Sequence, residues 1–409
     1  MIRYLADWVL PVVEPPLQDG WVDVEQGRVV AVGARATDGS TAESHVDLGS
    51  TAVLPALVNA HTHLELSGLR DKIPPTGSMP EWVSRLLVRR AQSGEPDLGT
   101  ISQALEEGKA SGTGLFGDIS NTLASVSVLE ATDTSACVFH EVLSFSEAGA
   151  AGVVDQALEH ISAAGPTTHV RFALAAHAPY SVGPAVFDQL DIAIRRAFET
   201  PRCVHLAESP EELEFLRSGR GPWRALLERL GHWNPDWEPP GCGPVEYLDR
   251  MGWLGPDVIV VHGVQLTDAE LSRLAATGTT LVTCPRSNVW TGVGTPPIDR
   301  FIRSGVRLAV GTDSLASAPD LNLFAELALM RRCAPAVPAR RLIACATAAG
   351  AAALGFADQF GRIEPGAPAA LIGVSVPVGV GDVEEYLVGG IEPGQVCWLD
   401  QHAPRMPVD

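Results

Sequence analysis

Residues 54–68, LPALVNAHTHLELSG, constrain this chain more than any other stretch, because an apolar strand-like run ends abruptly in His61-Thr62-His63. Alternate side chains of a strand share one face, so both imidazoles can point at one ion. Two histidines at this spacing could equally cap a strand or sit in a polar loop. Three further segments weigh against that. His205 in CVHLAES, His262 in VIVVHGV and Asp313 in LAVGTDS each follow a short apolar or β-branched run of the kind expected for a buried parallel strand. The candidate ligands therefore all fall at strand C-terminal ends.

A (β/α)8 barrel (TIM barrel) gathers its chemistry there, and the chain supplies the strands for one: Val53–Ala60, Gly114–Asp118, Ala136–Leu143, Val170–Ala176, Cys203–Leu206, Val258–Val261, Thr280–Thr283 and Val306–Val310. Helical stretches lie between them, among them Glu81–Gln92, Ser102–Ala110, Pro184–Ala197, Asp268–Ala276 and Leu321–Arg332. His61 and His63 then end the first strand, His205 the fifth, His262 the sixth and Asp313 the eighth. Histidines scattered through a generic α/β protein would not fall so regularly.

The chain ends differ in character. Up to about residue 50, short runs such as DGWVDVEQGRVVAVGA alternate apolar and polar residues, which predicts antiparallel hairpins. From about Phe360 onward, GRIEPGAPAALIGVSVP has the same texture. Neither end can bury a core alone. The expected organisation is a small β-sandwich built from residues 1–52 and 358–409, with the α/β barrel over 53–357 inserted between them.

A formal charge of −20 argues against nucleic acid and anionic membranes as partners. The opening MIRYLADWVL lacks the basic start and apolar centre of a signal peptide, so a cytoplasmic location is expected. Seven cysteines without a CxxC pair read as buried small hydrophobes rather than disulfides or a structural zinc site.

NAHTH, HLAE, VVHG, CPRSN at 284–288 and GTDS together resemble the amidohydrolase superfamily, in its cytosine-deaminase and chlorohydrolase-like branch, over nearly the whole chain. GRIEPGAPAALIGV resembles the terminal motif of such proteins, with Ala370 in place of their usual Asp. Two-metal relatives commonly bridge their ions with a carboxylated lysine on strand four. The only lysines here are Lys72 and Lys109, neither near Val170–Ala176, so that bridge is impossible. The resemblance thus implies one divalent metal, zinc by default with iron or manganese also compatible, held by His61, His63, His205 and Asp313.

The implied reaction is hydrolytic deamination of an aminated, purine-like heterocycle. Asp313 takes a proton from the attacking water, His262 orients that water, and Glu208 protonates the ring nitrogen beside the attacked carbon. Glu208 could alternatively be a solvated glutamate favoured by the dipole of the following helix. His177, in AAHAPYS, matches a substrate-binding histidine of related nucleoside deaminases. Relatives with this metal site deaminate guanine, cytosine, adenosine derivatives or pterins, or dechlorinate triazines. A non-catalytic descendant of the fold would be expected to have lost ligands, and none is lost here.

Adenosine-type relatives hold ribose hydroxyls with a glutamate beyond an EWL-like motif. Here EWV at 81–83 is followed at 87–92 by LVRRAQ, without that glutamate. Glu141 in FHEVLSF, ELEFLRSGRGPW, PVEYLDRMGWL and SNVW resemble the group that includes aminodeoxyfutalosine deaminases of menaquinone biosynthesis. Such a substrate carries a distal benzoate. The segment from Arg217 to Trp237, with Trp223, Arg220, Arg224 and Trp233, is the expected source of an arginine and an aromatic wall, or else packs as loop core or an oligomer contact. Glu65 and Arg286 are further candidates for substrate binding. Whether two copies form a homodimer stays open.

Overall fold

The computed structural model describes residues 1–34, 44–146 and 149–399. Parts of the predicted terminal segments, 35–43 and 400–409, lie outside the described residues. Five strands open the chain: β1 (Ile2–Val9), β2 (Leu17–Glu25), β3 (Arg28–Ala34), β4 (Ser44–Asp47) and β5 (Thr51–Pro55). The hairpin from β2 to β3 turns on Gln26 and Gly27, whose φ values of 51° and 72° give the mirror-image turn that matches strand twist. Antiparallel hairpins do not account for the whole segment, however. β4 and β5 both run parallel to β1, the first along Ile2–Leu5 and the second at Trp8–Val9.

The barrel strands follow: β6 (Leu57–Thr62), β7 (Thr113–Ser120), β8 (Ser135–Val142), β9 (Val170–Ala176), β10 (Arg202–Leu206), β11 (Val258–His262), β12 (Thr280–Thr283) and β13 (Arg307–Val310). They pair in sequence order, all parallel, with helices covering the outside. The last strands, β14 (Leu371–Ser375) and β15 (Val396–Trp398), return to the first sheet, β14 antiparallel to β5 and β15 antiparallel to β14. Both ends of the chain therefore share one sheet apart from the barrel, as the texture of the termini predicts.

The predicted first barrel strand, Val53–Ala60, is in fact two strands. Ala56 N donates to Ala370 O, whereas Leu57 N donates to Gly112 O, so the chain changes partners beside Pro55, which has no N–H of its own. The barrel closes where Thr312 N and Asp313 N both donate to His61 O. Closure demands a glycine at 311, because a Cβ there would sit 2.5 Å from His61 O.

Alternate strand residues fill the interior, including Val58, Ala60, Leu115, Cys137, Phe139, Ala173, Cys203, Ile259, Val261 and Ala309, closed off by Leu354 and Phe356. Their neighbours, such as Leu57, Val204, Val258, Val260 and Val310, pack against the helices. Two-faced burial explains why these strands read as continuous apolar runs. Five of the seven cysteines are buried and all are unpaired, consistent with the packing role expected of them. Among the described residues no helix is long and apolar enough to cross a membrane.

Candidate active site

Strand alternation alone would not build the site. In β6 the inward residues are Val58 and Ala60, so uninterrupted alternation would turn His61 and His63 outward. The pairing of β6 with β7 shifts register between Asn59 and Thr62, and both rings enter the barrel mouth. In β11, Ile259 and Val261 face inward, and alternation would send His262 out with Val260. A left-handed backbone at His262, φ 75°, re-aims it. Asp313 and Ala207 are also left-handed, at 59° and 50°. Non-glycine residues in this region cost on the order of 1–3 kcal/mol each and persist where surrounding structure enforces them.

The result is a compact cluster. Ligand nitrogens of His61, His63 and His205 lie within 4.8 Å of one another, and Asp313 Oδ1 is 3.5 Å from His63 Nε2. His61 is fully buried, yet neither ring nitrogen has a hydrogen-bond partner. Two orphaned nitrogens on one buried ring are costly unless something else occupies them. Burial holds His63 and His205 near a pKa of about 4 and His61 well below the ordinary range, so all three offer lone pairs at neutral pH. His205 Nδ1 lies 2.7 Å from His177 O, which fixes the proton on Nδ1 and leaves Nε2 free. These residues fit a divalent metal ion.

Beside the cluster, Glu208 is 3% exposed and its Oε2 is 3.4 Å from His262 Nε2. Burial, then the charges of Asp313 and Glu212, push its carboxyl well above the usual range. Asp313 is raised too, chiefly by burial, against hydrogen bonds from Ser287 Oγ (2.6 Å) and Ser314 N (2.8 Å).

Asn288, buried in the helix Pro285–Trp290, was not singled out by the sequence as a site residue, though it sits in CPRSN. Its Nδ2 is 3.0 Å from His262 Nδ1 and 3.5 Å from Glu208 Oε1. As placed, the Asn288 amide turns its NH2 toward both groups. His262 Nδ1 is therefore an acceptor, and its proton sits on Nε2, toward Glu208. Glu212 is a second such residue. Its carboxylate accepts from Ala207 N (2.8 Å) and Glu208 N (3.1 Å), which holds the left-handed turn carrying Glu208.

The other predicted substrate contacts divide. His177 is in the cluster, its ring centroid 5.1 Å from that of His205 and its Nδ1 bonded to Ser181 Oγ. Glu141 is also there, Oε1 3.7 Å from His205 Nδ1 and Oε2 accepting from Asn121 Nδ2. Glu65 instead spends its carboxylate on Ser120 Oγ, Thr122 Oγ1 and the amides of Asn121, Thr122 and Ala124, fastening the turn after β7. Arg286 is committed to Glu326 and Asp320, anchoring the helix that carries Ser287 and Asn288. Arg217 stands exposed on the helix Pro210–Ser218. Trp223 is 1% exposed and stacks on Tyr180 at 4.0 Å, while Trp233 and Trp237 pack with Phe145 and Phe215. The tryptophans of this segment thus form core, for one strong reason: large apolar rings gain most from full burial.

Comparison with known proteins agrees with this geometry. The chain is 31% identical to a 5-methylthioadenosine/S-adenosylhomocysteine deaminase of Syntrophobacter fumaroxidans, over 86% of this chain and 79% of that one. It is likewise 31% identical to an aminodeoxyfutalosine deaminase of Deinococcus radiodurans, over 76% and 75%. A crystal structure of an adenosine deaminase from Xanthomonas campestris with bound zinc superposes with a TM-score of 0.80 at 26% identity, covering 97% of this chain and 91% of that chain. The sequence model of the Amidohydrolase family matches residues 52–391, which takes in every barrel strand and every residue of the cluster. The protein belongs to the Amidohydrolase family, and with it to the hydrolases of carbon–nitrogen bonds.

Proposed function

We propose that this protein is a metal-dependent hydrolytic deaminase of an adenine nucleoside, with aminodeoxyfutalosine of menaquinone biosynthesis as its substrate. The observation that carries the reaction class is the buried Glu208–His262–Asn288 constellation beside three unprotonated imidazoles and Asp313. A divalent ion, zinc in this reading, held singly by His61, His63, His205 and Asp313 would lower the pKa of water toward neutrality. Asp313 accepts a proton from the attacking water, and the Nε2–H of His262 orients it. Glu208, whose buried carboxyl has its pKa raised, delivers a proton to the ring nitrogen beside the attacked carbon. The water oxygen bonds to that carbon; the added hydroxyl then passes its remaining proton to Glu208, which hands it to the amino nitrogen as the carbon–nitrogen bond breaks, so that ammonia leaves, a carbonyl remains, and the proton held by Asp313 returns to Glu208.

The substrate assignment rests on the resemblance to the Deinococcus protein and on the helix Met79–Ser93, which carries no glutamate over 87–92 for a ribose. Similarity to the Syntrophobacter protein favours methylthioadenosine or S-adenosylhomocysteine as the second reading. Ammonia release by the zinc-loaded enzyme separates them: kcat/KM for aminodeoxyfutalosine should exceed that for methylthioadenosine, adenosine, guanine and cytosine. A clear preference for one of the others would discard the menaquinone assignment and keep the deaminase.

A further inference from the structure

Arg90, in the last turns of the helix Met79–Ser93, is a half-buried guanidinium that makes no hydrogen bond or ion pair among the described residues. Arg85 is paired with Glu81 and Arg70 with Glu107, while Arg89 bonds the Gln92 side chain. In a chain with 49 acidic against 29 basic residues, an arginine left unmatched faces an abundance of carboxylates it could have taken. It lies where two cavities meet. One, about 710 Å³, runs past Glu65 and Leu66. The other, about 320 Å³, lies between the end of β8 and the helix Ala150–Ala164.

Glu141 lines the smaller cavity, and its Oε1 is 3.7 Å from His205 Nδ1. The walls are mixed. Val142, Leu143, Val153 and Ala157 supply apolar surface, and Leu143 is 49% exposed although large and apolar. The polar lining has a definite proton order. His140 Nδ1 meets the carbonyl of Ser120, which can only accept, so His140 Nε2 must accept from His160 Nδ1–H, leaving His160 Nε2 unused by this chain of bonds. Glu141 is held by Asn121 and points inward, so a negative group is excluded from its end and favoured at the Arg90 end.

We infer that Arg90 and this cleft form the subsite for a negatively charged group carried on an apolar or aromatic arm of the substrate, remote from the reacting carbon. The inference rests on the nucleoside-deaminase reading and assigns the recognition to Arg90 instead of the arginines of 217–224. A planar fork with no internal partner matches a carboxylate bidentately, and an apolar wall beside it accepts a ring.

The test compares aminodeoxyfutalosine with its neutral carboxamide. Wild type should prefer the carboxylate in kcat/KM by roughly tenfold to a hundredfold, the scale of one charge-assisted contact. In Arg90→Met that preference should fall to within about threefold, through KM rather than kcat, and Arg90→Lys should restore part of it. Leu143→Glu, an exposed substitution that leaves the core intact, should cut the preference at least about fivefold by setting a like charge in the cleft. Deamination of both compounds without preference, or a preference that survives Arg90→Met, overturns the subsite and leaves the deaminase standing. Ammonia from neither compound overturns both readings.

Discussion

Replacing Asn288 with alanine removes the buried donor 3.0 Å from His262 Nδ1, and nothing else in the cluster can take its place. Two consequences follow. The acceptor on His262 loses its one partner among the described residues, a cost of about 1–3 kcal/mol. The proton is then free to move to Nδ1, which strips Nε2 of the hydrogen aimed at the attacking water. If that cost falls wholly on the transition state, kcat drops by roughly 5- to 150-fold. Asn288→Asp should do worse than alanine. Its second oxygen would stand where Nδ2 now lies, 3.5 Å from Glu208 Oε1, and it would demand a proton on His262 Nδ1. Steady-state ammonia release, with metal content measured on the same samples, is the assay. An Asn288→Ala enzyme within twofold of wild type, or an aspartate variant more active than the alanine one, would refute the tautomer argument.

Glu208→Gln should keep its metal and lose at least about a hundredfold in turnover, the scale of a lost general acid/base; near-normal turnover would remove Glu208 from the mechanism. Elemental analysis should find about one divalent ion per chain, and Asp313→Asn should lose both metal and activity, whereas two tightly held ions would end the mononuclear assignment. Trp223→Ala should destabilise the fold by about 3–5 kcal/mol in denaturant unfolding, because its ring is 1% exposed, while Arg217→Ala should stay within about 0.5 kcal/mol. An unchanged unfolding midpoint for the tryptophan variant, with a raised KM, would return that residue to the pocket wall.

By itself the sequence determined the barrel, and it pointed to the candidate metal ligands and to Glu208. Each parallel strand is buried on both faces and so announces itself as an apolar run, and each candidate ligand stands at or within three residues of the C-terminal end of one. That is local information, written in consecutive letters such as VIVVHGV and LAVGTDS. The one strand misjudged, Val53–Ala60, failed because an apolar run does not say which sheet it joins; only the partners of Ala56 and Leu57 do. The tertiary structure decided everything that depends on what a side chain meets across the barrel. Glu65 and Arg286 look available in the sequence, yet their charges are spent on the turn after β7 and on Glu326. Asn288 and Glu212 look incidental, yet they set the proton on His262 and the turn under Glu208. Arg90 is one of two arginines in LVRRAQ, and its lack of a partner exists only in three dimensions. Hydrogen bonds and ion pairs between residues tens or hundreds of positions apart leave no periodic trace in the chain, so the strand ends could be read from it and the use made of each charge could not.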